Sequence, residues 1–70
     1  MKIKIENHEN NTTRVIDYPE TVLFFVKVHY LSWGFYKVLK AGRDHFEIYD
    51  AFTGQHVDTV TKAKQGDITQ

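Results

Sequence analysis

The N-terminal stretch alternates polar and apolar positions, with Ile3 and Ile5 on one face and Lys2, Lys4 and Glu6 on the other. A period of two residues predicts a half-buried strand over residues 2–6. Residues 8–13 are polar and read as a loop, residues 14–18 read as a second short strand, and Pro19 breaks the pattern. Between residues 22 and 30 two periods compete. A strand places Val22, Phe24, Val26, Val28 and Tyr30 on one face, all β-branched or aromatic, with Lys27 and His29 opposite. A helix opening at Pro19 aligns Val22, Phe25, Val26, His29, Tyr30 and Trp33. It also sets Phe24, Val28 and Leu31 on the far side, so it needs burial all round. The strand is the preferred reading of the two.

Turn chemistry organises the second half of the chain. Ser32, Trp33 and Gly34 suit a three-residue hairpin loop with Gly34 in the left-handed position, which pairs Leu31 with Phe35, Tyr30 with Tyr36 and Val28 with Val38. Gly42, Arg43 and Asp44 make a second tight connection, with Val38 opposite Ile48 and with Phe46 and Ile48 facing the core. Residues 50–54, DAFTG, form a third turn in which Asp50 accepts backbone hydrogen bonds and Gly54 supplies a positive φ. A strand over residues 55–60 then sets Ile48 opposite Val57. The expected fold is all-β, or a β-rich α+β variant if residues 22–30 are helical. Its architecture is a small antiparallel meander or barrel-like sheet of five to six strands. Residues 1–60 make one domain, and residues 61–70, without periodicity, are expected to be a mobile tail.

Composition narrows the class. Seventy residues at 41% hydrophobic and 14% aromatic are too apolar for a disordered chain, yet so few that the core must be compact. With no cysteine there is neither a disulfide framework nor a thiolate zinc site, which favours a reducing, cytoplasmic setting. The opening residues carry no apolar signal core, and no segment reaches the length of a membrane span. The Asn-x-Thr tripeptides at Asn10 and Asn11 then read as turn chemistry.

Nine basic and nine acidic residues cancel overall but not locally. Residues 21–43 hold Lys27, Lys37, Lys40 and Arg43 with no acid, together with six of the ten aromatics. On the strand reading, Lys27, His29, Leu31, Phe35 and Lys37 share an outward face, with Trp33 at the hairpin tip. Exposed aromatics with scattered charge suit a protein partner, and a tip tryptophan suits an anchor. The expected function is therefore a small protein-binding module, a regulator, inhibitor or accessory subunit of the kind phages and mobile elements use to block host proteins. Self-association through an aromatic face or a free strand edge is a variant of it. The alternative is single-stranded nucleic-acid binding through residues 25–39, with bases stacked on the rings and lysines following the phosphates. Zero net charge weighs against that alternative.

A second constellation is His45-Phe-Glu47 with His56-Val-Asp58. The i, i+2 spacing sends both members of each pair to one side of a strand, and the third hairpin sets Glu47 opposite Asp58. Two imidazoles and two carboxylates can ligate zinc or another divalent ion. A solvated polar face is the preferred reading, with no metal or cofactor expected. The chain has no cysteine nucleophile, no glycine-rich phosphate loop and no spacing that singles out a catalytic triad, so no catalytic residue is assigned and an enzyme is not expected.

Overall fold

The computed structural model describes residues 1–64. It contains five antiparallel strands in one sheet and a ten-residue helix: β1 (Lys2–Asn7), β2 (Thr12–Asp17), α1 (Val22–Val26) continuing as a π-helical segment (Lys27–Leu31), β3 (Tyr36–Gly42), β4 (His45–Asp50) and β5 (His56–Lys62). The strand order is β2-β1-β5-β4-β3. Two hairpin-linked strands thus join a three-stranded meander through β1 and β5. The chain crosses from one sheet edge to the other by way of the helix. The protein is mostly β, as the alternating pattern implies.

Residues 22–31 are helical, which corrects the preferred strand reading and the hairpin pairings built on it. Local chemistry starts the helix: the Thr21 hydroxyl accepts the Phe24 backbone N–H at 3.1 Å, satisfying an amide that the first turn leaves unpaired. Packing decides the rest. Ile3, Ile5, Phe46, Ile48 and Val60 form one apolar sheet face, and a further strand in the plane of the sheet leaves that face wet. A helix laid across it supplies Val22, Phe25, Val26 and Tyr30 as a cover. Ile3, Val22, Val26, Ile48 and Val60 are fully inaccessible, each contributing roughly 1.5–3 kcal/mol of transfer free energy. The β propensity of a short segment gives way to burial on this scale.

Aromatic edges fix both ends of the helix. Tyr18, just past β2, meets Phe25 edge to face at 5.1 Å, and Tyr30 meets Tyr36 of β3 in the same manner at 5.3 Å. In the π-helical segment Tyr30 turns inward and donates its hydroxyl to Asp58 at 2.6 Å. Gly34, at φ 75°, lies in the bend that returns the chain to β3, so the expected left-handed glycine is present although the turn joins a helix to a strand.

The later turns match the sequence reading closely. Val38 pairs with Ile48, and Arg43 and Asp44 form the two-residue connection, with Asp44 at positive φ. Asp50 accepts the amides of Phe52 and Thr53 at 2.8 and 2.9 Å, and Gly54 has φ 77°. The β4–β5 register differs. Tyr49 pairs with His56, but an irregularity at Val57 then sets Ile48 opposite Asp58 and Glu47 opposite Thr59. This corrects the expected Ile48–Val57 and Glu47–Asp58 pairs. Thr61 and Lys62 belong to β5, so the tail does not begin at residue 61, while residues 65–70 lie outside the described residues.

Candidate functional site

One sheet face is covered by the helix. The other carries a cluster built from three strands. The alternation of β1 places Ile3 and Ile5 in the core and runs on past Asn7, so His8 emerges on the open face, its backbone amide bonded to the Val57 carbonyl at 2.8 Å. Alternation along β4 puts His45 and Glu47 on the same side. The bulge at Val57 lets both Thr59 and His56 reach that side, because one extra residue cancels one step of the two-residue period.

Glu47 is the hub. Its Oε1 accepts the Thr59 hydroxyl at 2.6 Å and lies 2.7 Å from His56 Nε2, while its Oε2 lies 2.7 Å from His45 Nε2. His8 Nε2 lies 2.7 Å from the Thr59 hydroxyl oxygen. Because that hydroxyl donates to Glu47, it accepts from His8, which assigns the His8 proton to Nε2. The imidazole of His56 is stacked between the rings of His8, at 4.1 Å, and Tyr49, at 4.8 Å. Partial burial works to raise the Glu47 pKa, but hydrogen bonds from Thr59, His45 and His56 outweigh it and hold the carboxyl below its ordinary value.

Asp58, the fourth sequence-derived metal candidate, is on the other side of the sheet. It is buried, accepting Tyr30 Oη at 2.6 Å and Asn7 Nδ2 at 2.9 Å. The bulge is the reason: it separates Asp58 from His56, which unbroken alternation sets together. Burial and the Asp58 carboxylate push the Tyr30 phenol far above its usual pKa, so it stays a donor. His8 is missing from the sequence-derived set because that reading ends the first strand at Glu6. The Lys2, Lys4, Glu6, His8 alternation is the signal that finds it.

The predicted partner face is divided by the fold. Lys27, Leu31, Trp33 and Phe35 are exposed on the helix and the bend after it, whereas Lys37 pairs with Tyr49 on the open sheet face. His29 lies against Phe25, ring centroids 4.4 Å apart. Residues missing from that prediction enter instead. Leu23, Phe24 and Val28 line the outer side of the helix, and Phe24 is 47% exposed. Trp33 is 69% exposed, and Phe52 at the β4–β5 turn 80%; that turn is tied to Phe35 by a hydrogen bond from Ala51 N to the Phe35 carbonyl. No helix among the described residues is long and apolar enough to cross a membrane.

The fold and these surfaces define a small two-layer protein, one helix over an antiparallel five-stranded sheet. No family model, curated protein or solved structure matches the chain.

Proposed function

We propose that the chain is a small cytoplasmic protein-binding module that acts by occupying another protein, as a regulator, inhibitor or accessory subunit. One observation carries this reading. Beyond the side that the sheet covers, the helix leaves Leu23, Phe24, Val28 and Leu31 exposed together with Lys27 and His29, and Trp33 and Phe35 are exposed in the segment that follows. Solvent-facing helix sides are ordinarily polar, and contiguous exposed apolar patches mark interaction surfaces. The partner it suits presents an apolar groove able to seat a helix face, with Trp33 as the anchor. The absence of cysteine supports a reducing compartment.

Separation of Lys37 from Lys27 weakens the single-stranded nucleic-acid alternative, which relies on both along one aromatic strip. The test compares immobilised wild-type protein with a Phe24→Ser, Trp33→Ala double variant in lysate of the producing cells. The expected result is a protein retained by the wild type, lost by the variant and rebound as a purified component. Identical retention by both overturns the reading. Sedimentation of the two proteins alone shows whether the occupant is a second copy, and a labelled oligonucleotide at two salt concentrations should show no salt-sensitive binding.

A further inference from the structure

We propose that His8, Glu47 and His56 form a binding site for one divalent transition-metal ion of the zinc class, on the sheet face opposite the helix. One nitrogen of each imidazole and one Glu47 carboxylate oxygen lie within 4.8 Å of one another, and the Nε2 atoms, which meet the Thr59 hydroxyl and the Glu47 carboxylate, are the ligands assigned. Tetrahedral zinc with bonds of about 2.0–2.1 Å spaces its ligands roughly 3.3 Å apart, so small side-chain rotations bring this set to bonding distance. Two imidazoles and one carboxylate are a donor set that zinc accepts with one position left open to water or a further ligand. Nitrogen donors disfavour magnesium and calcium, which take oxygen.

Three features suit the cluster to a metal beyond mere proximity. Glu47 and His56 come from the paired strands β4 and β5, and His8, the first residue past β1, is tied to β5 by its backbone amide on the Val57 carbonyl, so the backbone that carries all three is held before any ion arrives. The imidazoles of His8 and His56 are stacked at 4.1 Å, with both Nε2 atoms directed to the Glu47–Thr59 pair. His45 holds the other carboxylate oxygen at 2.7 Å, fixing the plane of Glu47 as the outer partners of metal-bound carboxylates do. When the ion binds, each ligating imidazole carries its single proton on Nδ1, and the Thr59 hydroxyl keeps Glu47 as its acceptor. The face is open to solvent, so an ion has direct access.

The test is calorimetric titration of tag-free, chelator-stripped protein with zinc chloride, paired with thermal melts in zinc, magnesium and calcium. One zinc per chain is expected, with a melting temperature that rises with zinc concentration and does not respond to magnesium or calcium. His8→Ala removes an exposed side chain and leaves the core untouched, and it should abolish saturable one-to-one binding, as should His56→Ala. His45→Ala acts through the carboxylate and should weaken binding by about tenfold. His29→Ala, on the helix, should bind zinc as the wild type does. Absence of one-equivalent binding overturns the site, and so does unchanged binding by His8→Ala. Circular dichroism of each variant separates lost ligation from lost fold.

Discussion

Glu47 and Asp58 sit on neighbouring strands one register step apart, yet they face opposite sides of the sheet and meet opposite chemistry. Asp58 is buried beneath the helix, held by a phenol and an amide, and has the surroundings of a structural hydrogen-bond acceptor. Glu47 is partly exposed, surrounded by a hydroxyl and two imidazoles, with a third imidazole one hydrogen bond further out. The same functional group thus serves the core on one side and a candidate ion site on the other. A single bulge residue, Val57, decides which side each neighbour on β5 takes. Plain alternation gives a sheet an apolar face and a polar one, and a break in it redirects the residues on one side of the break.

The largest effect should come from the covered side. Ile48→Ala opens a cavity in the middle of the core and should lower stability by about 2–5 kcal/mol in urea unfolding, enough to unfold a domain of this size in part. Tyr30→Phe keeps the ring but leaves the buried Asp58 without one donor, and about 1–3 kcal/mol should be lost by the same measurement. Next comes the helix start, where Thr21→Ala removes the cap and should cost about 1 kcal/mol. Phe24→Ser, on the outer side of the same helix, should cost no more than about 1 kcal/mol, since about half of the side chain is already exposed in the free protein. A loss near that of Ile48→Ala would show that the outer side is part of the core and erase the contrast between the two sides of the helix.

Asp50 gives a reference carboxylate belonging to neither face. Backbone amides of Thr53 and Phe52 lower its pKa below the ordinary 3.8. A lowered value means that its contribution to stability is present above that pH and is lost as pH falls through the shifted one. Asp50→Asn should therefore flatten part of the acid limb of a stability-versus-pH curve while leaving the neutral region little changed. An unaltered acid limb would show that the turn carboxylate carries none of it.

Much of the sheet is legible in the chain. The alternation at Ile3 and Ile5, the Val38–Ile48 pairing, the Asp50–Gly54 turn and the left-handed Gly34 all come from local rules, because strand period and turn conformation act over a few residues. The helix is harder to read. Val22, Val26 and Val28 favour a strand locally, and the Thr21 cap is a small signal against them. The cover that the sheet face requires exists only in three dimensions. Of the candidate ion site, His45, Glu47 and His56 are visible in the spacing, while His8 is hidden when the first strand is ended at Glu6. Asp58 is misplaced by a bulge that pattern alone does not reveal.

By itself, then, the sequence determined a small, cysteine-free, mostly β protein with an aromatic, acid-free central block and a histidine-carboxylate pattern in its last two strands. Tertiary structure alone decided that residues 22–31 of the central block fold as a helix with one side covered and one side bare. It also decided that His8 joins Glu47 and His56 while Asp58 turns away. The physical reason is common to both: burial of a sheet face and the sliding of one strand past another are relations between distant segments, and no local period encodes them.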